Sequence, residues 1–199
     1  MNSAGDILLF WNAATNPVSE AIEVLTGRKG KKGPSHAAIF TQPLLRFPPI
    51  TGSLSGLEPA KVFECTLVKG CNGCRIIAPP DLLAEYGKGS RIGVYALMPW
   101  ARAQVDWGAF DAAIGEMVGA IKYSVPDLLK FLLPESVEFG DPDTAAKMVC
   151  SQAVARILVK SCKAFQAVQY ERISPADIET WAGPDRIGGP LLMPGVPIL

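Results

Sequence analysis

The sequence predicts an α+β fold in which a mainly antiparallel sheet packs against helices, and three observations point to it. Residues 61–68 alternate apolar and polar side chains, as a half-buried strand does. The dipeptide Asn72-Gly73 stands between two apolar runs, which favours a two-residue hairpin turn between antiparallel strands. From residue 106 onward the spacing of apolar residues becomes helical. We therefore expect strands to dominate the first half of the chain and helices the second.

Strands are predicted where a short apolar or alternating segment follows a turn signal. The first begins after the Gly-Asp turn of "GDILLF". In the alternating segment, Glu64 is expected on the face opposite Phe63 and Cys65, because successive side chains of a strand point to opposite sides. The predicted strands are residues 5–10, 36–40, 61–68, 91–97 and a short one at 168–173.

Helices are predicted from capping residues and from apolar side chains that share a face. Asn16 can cap the first helix, and Pro17 suits its first helical position, where the missing N–H costs nothing. The stretch "AKMVCSQAVARIL" changes from an apolar run to a helical pattern, so Cys150 falls at the start of a helix. The predicted helices are residues 16–26, 106–121, 124–133 and about 150–163, followed by one helical turn within 173–181.

The length of 199 residues fits one domain, spanning 1–199. Residues 184–199 form a Pro- and Gly-rich tail for which no regular structure is predicted. Residues 27–35, "GRKGKKGPS", are expected to form a solvated loop, or else a flap that contacts an anionic substrate. Residues 134–144 are expected to form a Pro- and Asp-rich loop.

Charge and hydropathy bear on the class of protein. Nineteen Lys and Arg residues balance nineteen Asp and Glu residues, whereas nucleic-acid binding needs a basic surface, so we expect no nucleic-acid partner. The sequence shows neither a secretory signal nor an apolar stretch of the about 20 residues that cross a bilayer. We expect a cytoplasmic protein without an integral membrane segment, and leave open its release or delivery by another route.

The five cysteines are odd in number and irregularly spaced, which is not typical of a secreted disulfide framework. In a reducing compartment they would be mostly free thiols. Cys71 and Cys74 have the spacing of half a zinc site, but the sequence offers no second pair. We predict that this pair packs beside the hairpin turn, where a disulfide would require oxidising conditions, and we expect neither a metal ion nor a cofactor.

Three side chains are candidates for chemistry. His36 is the only histidine, so a mechanism that needs a neutral-pH imidazole must use it; the alternative is a polar residue satisfied at a strand start. Cys150 opens a helix, whose unpaired N–H groups favour a thiolate; the alternative is a packing cysteine. Glu64 could orient an imidazole; the alternative is a solvent-facing strand residue.

The segments "GDILLF", "PSHAAIF", "VFECT", "MVCSQAVARIL" and "ISPADI" occur in an order that resembles the circularly permuted branch of the NlpC-type, papain-like cysteine hydrolases, the YiiX-like family. The segment "KYSVPDLLKFLL", residues 122–133, resembles the family's Tyr-containing insert before the cysteine. The resemblance covers residues 5–178 and depends on the order and spacing of the motifs. It implies a papain-like fold with the nucleophile at a helix N-terminus.

By position, the resemblance implies that Cys150 is the nucleophile, His36 the general base and Glu64 the residue that orients His36. The implied activity is that of a cysteine peptidase or amidase, which cleaves an amide or ester through an acyl-thioester on Cys150. The substrate would be a small peptide, a cell-wall-type peptide or an acylated amino acid. Two alternatives stay open: an acyl- or peptidyl-transferase on the same fold, and a non-catalytic binding or structural module that keeps a relic site.

Overall fold

The structure is a computed structural model that describes residues 3–11, 33–41, 61–68, 70–86, 90–124, 147–184 and 188–198. The predicted helix at 16–26, nearly all of the one at 124–133, most of the basic loop at 27–35 and the loop at 134–144 lie outside these residues.

Within the described residues, a six-stranded sheet forms the centre of the fold, and every neighbouring pair of strands in it is antiparallel. Along the chain its strands are β1 (Ile7–Trp11), β2 (His36–Phe40), β3 (Val62–Val68), β4 (Cys71–Ile77), β5 (Arg91–Tyr95) and, after two short strands, β8 (Val196–Pro197). Their order across the sheet is β4-β3-β2-β1-β5-β8. The two short strands, β6 (Lys122–Tyr123) and β7 (Lys147–Met148), form a separate parallel pair.

Five α-helices occur in the described part of the chain: α1 (Pro79–Tyr86), α2 (Pro99–Arg102), α3 (Trp107–Met117), α4 (Cys150–Ser161) and α5 (Pro175–Thr180). The predicted start of α4 at Cys150 is confirmed, and α5 lies within residues 173–181, where one helical turn was predicted. Asp106 caps α3 by accepting a hydrogen bond from the Ala109 N–H at 3.0 Å, and Ser174 caps α5. Together with the sheet, these helices confirm the predicted α+β class. No helix within the described ranges combines the length and hydropathy needed to span a membrane.

The two faces of the sheet are covered by different helices. On one face, Leu9, Ile39 and Phe63 pack with residues of α3 and α4 in the larger apolar cluster. On the other, Leu8 and Phe10 belong to a second cluster that includes residues of α1. This alternation follows from the two-residue period of a strand. It is the division predicted for β3, since Phe63 and Cys65 lie in the larger cluster and Val62 in the second.

The hairpin between β3 and β4 is present, but its predicted turn was wrong. Val68 pairs with Cys71, so the turn falls at Gly70, where φ is +85°. Gly73 lies inside β4 with φ of +134°, and a Cβ there would stand 2.2 Å from the Ile121 carbonyl oxygen. Glycine is therefore required at 73 by a close backbone approach, rather than by a hairpin turn.

Two further expectations are corrected, and one helix was not predicted. The segment predicted as a strand at 168–173 contains instead a short 3-10 helix, Tyr170–Arg172. The tail contains regular structure, because β8 adds to the open edge of β5 and Leu192 bridges Leu97. Helix α1 was not predicted, although its Pro-Pro-Asp start is a typical helix beginning.

Candidate active site

The sheet places His36 and Glu64 side by side. His36 is the first residue of β2, and Glu64 pairs with Ala38 on that strand, so the two side chains occupy neighbouring positions on one face. The Nε2 atom of His36 lies 2.7 Å from Oε2 of Glu64. Glu64 is fully buried, which overturns the alternative of a solvent-facing strand residue.

Helix α4 brings Cys150 to the same histidine. Cys150 is the first residue of the helix, and its side chain lies near enough to the His36 ring to be the main influence that raises the pKa of that ring. Because Glu64 engages Nε2, the ring nitrogen left for the thiol is Nδ1. The structure therefore brings all three predicted side chains together, from two neighbouring strands and one helix.

The electrostatics of this cluster favour a charged imidazole. Burial alone would lower the pKa of His36, but the negative charge and hydrogen bond of Cys150, followed by those of Glu64, raise it to about 10. His36 is therefore protonated at neutral pH. A protonated imidazole beside a cysteine is the arrangement that stabilises a thiolate, which is the attacking form of the side chain.

Glu64 is held in its charged form by two cations. Burial raises the pKa of a carboxyl group, but the hydrogen bond and charge of His36, together with those of Arg75, bring the pKa of Glu64 below its ordinary value. Arg75 donates to Oε1 of Glu64 from Nε at 2.8 Å and from Nη2 at 2.5 Å. Arg75 also binds Glu85, on α1.

Aromatic residues fix the plane of the imidazole. The Tyr86 ring stacks on His36 with centroids 4.9 Å apart and planes 19° apart, while Phe10 meets it at 5.3 Å and 60°. The Tyr86 hydroxyl lies 2.6 Å from Oγ1 of Thr66, which fixes the ring at its other end. Sequence reasoning missed both Arg75 and Tyr86, because their roles depend on the register of β4 and on α1.

The start of α4 is anchored by side chains that follow Cys150. Oε1 of Gln152 accepts the Val149 N–H at 3.1 Å, while its Nε2 donates to the Glu171 carbonyl at 2.5 Å. The Ser151 hydroxyl donates to the Ile173 carbonyl at 2.5 Å. These contacts fix the first turn of α4 against the segment that precedes α5, and so fix Cys150.

Two more residues lie close to Cys150. Burial raises the pKa of the Tyr123 phenol, and the charge of Cys150 adds to the rise. The Cys65 thiol donates to the Met148 carbonyl at 3.5 Å, two residues before Cys150. Tyr123 and Met148 pair in the small parallel sheet, so these contacts join the loop before α4 to the main sheet.

The Cys71/Cys74 pair does not bracket a turn. Both residues belong to β4, and Cys74 lies directly opposite Cys65 on β3. All five cysteines are free thiols. Among the residues that the structure describes, no three His, Cys, Asp or Glu side chains are grouped as a metal ion would require.

Two of the three candidate residues are almost inaccessible to solvent. Cys150 is 1 % exposed and His36 6 % exposed. A cavity of about 560 Å³ opens elsewhere, beside Lys61, which precedes β3, and Asp111 on α3, and neither His36 nor Cys150 lines it.

Comparison with family models, with curated proteins and with solved structures finds no match for this chain.

Proposed function

We propose that the chain is a cysteine hydrolase of the peptidase or amidase kind, with a papain-like fold of the permuted NlpC type. The observation that carries the proposal is the grouping of Cys150, His36 and Glu64, in which a cysteine at a helix start lies beside an imidazole that is bound to a buried carboxylate and whose pKa is raised. The order of the sequence motifs supports the same proposal. Nucleophile, base and orienting group in this geometry define a triad whatever their order in the chain.

In the proposed reaction, the Cys150 thiolate attacks the carbonyl carbon of an amide or ester. The carbonyl oxygen becomes an oxyanion, and the backbone N–H of Cys150 at the start of α4 is a natural donor to it. The C–N or C–O bond then breaks, and the leaving group takes the proton of the His36 imidazolium. His36 next removes a proton from water, which attacks the thioester carbon, releases the acid and restores the thiolate.

The proposed substrates are a small peptide, a cell-wall-type peptide or an acylated amino acid. A second candidate, an acyl- or peptidyl-transferase, is favoured by the burial of Cys150, because a site that excludes water protects a thioester from hydrolysis. Added amines distinguish the two. In a transferase they increase total product, whereas in a hydrolase the rate of acid release does not depend on them.

The nucleophile assignment is tested by treatment with limiting iodoacetamide near pH 6, followed by mapping of the modified cysteines. Cys162 is the matched control, since it is equally buried and burial raises its thiol pKa. Replacing the partly exposed Cys71 by serine removes its competing reaction. We expect Cys150 to react at least about tenfold faster than Cys162, and His36→Ala to abolish the difference. Equal rates, unchanged by His36→Ala, would overturn the proposal in favour of a non-catalytic module.

A further inference from the structure

The carboxylate of Glu64 is divided between two cations. Oε2 lies 2.7 Å from His36 Nε2, while Oε1 accepts both Nε and Nη2 of Arg75. The carboxylate is fully buried, so water does not replace either partner. Each oxygen therefore has its own cation, and rotation of the group would break bonds on both sides.

The fold places Arg75 here by strand register. Arg75 lies directly opposite Glu64 in the β3–β4 ladder. Its far side is held by Glu85, with Nη1 at 3.2 Å from Oε1 and Nη2 at 2.5 Å from Oε2. The guanidinium is thus fixed between a buried carboxylate and a partly exposed one. Such a two-sided arrangement suits the planar fork of arginine better than the single ammonium of lysine.

We infer that Arg75 is a positioning residue: its guanidinium keeps Glu64 charged and turned toward His36, so that Glu64 can hold the imidazolium. The inference rests on the proposed function, because it gives Arg75 a role only if Cys150 and His36 are the reacting pair. Arg75 acts through Glu64 and has no assigned contact with substrate.

The groups around Glu64 support this role. Burial raises the pKa of Tyr86 on α1 and of Cys71 on β4, a hydrogen bond with Cys74 raises that of Cys65 on β3, and the negative charge of Glu64 adds to each rise. These three groups are neutral at neutral pH; Cys150 is the titratable group beside His36, and Glu85 is the carboxylate on the outer side of Arg75. His36 and Arg75 are the cations that lower the pKa of Glu64. Without Arg75, the buried carboxyl would take up a proton at higher pH and could no longer stabilise the imidazolium.

The experiment measures the rate constant for Cys150 alkylation between about pH 4 and pH 8, in the wild type and in Arg75→Gln and Arg75→Lys. The acid limb of this profile is the pH range over which the rate falls as the pH is lowered. We expect Arg75→Gln to shift the acid limb to higher pH by about one unit, which corresponds to about a tenfold lower rate at a given pH on that limb. Near pH 8 the rate should stay within about twofold, since Glu64 is ionised there in either case. Arg75→Lys should restore most of the shift because it keeps the charge.

Arg102→Gln is the matched control. The Arg102 side chain is 28 % exposed against 22 % for Arg75, and it binds the buried Asp6 away from the reacting pair. It should lower stability without moving the acid limb. If Arg75→Gln fails to fold, Glu85→Gln loosens Arg75 from its outer side, and we expect a smaller shift in the same direction. If Cys150 reacts selectively in the wild type but Arg75→Gln leaves the acid limb of the profile unmoved, this inference alone is overturned. If Cys150 shows no selective reaction in the wild type, the proposed function is overturned as well.

Discussion

The Tyr86 ring lies parallel to the imidazole of His36, 4.9 Å from it, and the Tyr86 hydroxyl is bound to Thr66 at 2.6 Å. The histidine is thus held on its flat face by stacking and at Nε2 by Glu64. Only rotation within its own plane would leave the stack intact, and the bond to Glu64 opposes that rotation. The imidazole is therefore presented to Cys150 in one orientation.

Substitutions of Tyr86 separate the stack from the hydroxyl. Tyr86→Phe keeps the ring and loses one buried hydrogen bond, which we expect to cost about 1 kcal/mol of unfolding free energy. The alkylation rate of Cys150 should be almost unchanged. Tyr86→Ala removes the ring as well, and we expect a loss of about 3–5 kcal/mol together with slower alkylation. Denaturant unfolding and alkylation kinetics measure both effects. Equal alkylation rates in the two variants would show that the stack does not orient His36.

Glu64→Gln tests the buried ion pairs. The variant keeps the shape of the side chain but leaves His36 and Arg75 without their shared carboxylate, and breaking a buried pair costs about 3–5 kcal/mol. The pKa of Glu64 is lowered in the folded state, so its contribution to stability is present above its ordinary pKa of 4.5 and is lost as pH falls through the lower folded value. The difference in unfolding free energy between wild type and variant should therefore be large at neutral pH and shrink in acid. A difference independent of pH would contradict this assignment.

Two glycines of the β3–β4 hairpin provide a matched pair for the fold. Both have positive φ, but a Cβ at Gly73 would meet the Ile121 carbonyl at 2.2 Å, whereas a Cβ at Gly70 has nothing within 4 Å. Gly70→Ala should cost only the backbone strain of about 1–2 kcal/mol. Gly73→Ala should cost clearly more, because two backbone segments must separate. Thermal or denaturant unfolding measures the loss of stability in each variant. A larger loss in Gly70→Ala than in Gly73→Ala would contradict the positions assigned to the turn and to β4.

The hairpin also shows what could be predicted from the sequence. The alternation in residues 61–68 correctly predicted that Glu64 lies on the other face of β3 from Phe63 and Cys65, because side-chain direction in a strand depends only on position along it. The residue of β4 that pairs with Glu64 depends on where the turn between the two strands lies. A turn at Asn72-Gly73 would have paired Cys71 with Cys74 and moved Arg75 away from Glu64. The register in the structure pairs Glu64 with Arg75.

The candidate site residues could be predicted from the sequence because their residue types and positions are suited to the proposed chemistry. A single histidine and a cysteine at a helix start are visible without coordinates, and in the structure Cys150 lies near enough to His36 to raise the pKa of its ring. The residues that support them were not visible. Tyr86 reaches His36 only because α1 folds back over the sheet, and Ser151 anchors α4 through a carbonyl 22 positions later. Such long-range contacts leave no periodic signal in the chain.

The most direct test is an NMR titration of the His36 ring, which is unambiguous because the chain has one histidine. We expect the wild-type ring to remain protonated through neutral pH and to titrate near 10. Cys150→Ala removes the charge and the hydrogen bond that raise this pKa most, so the variant should titrate at a markedly lower pH. A wild-type ring that titrates near the ordinary value of about 6.5, unchanged in Cys150→Ala, would contradict the thiolate–imidazolium pair on which the proposed function depends.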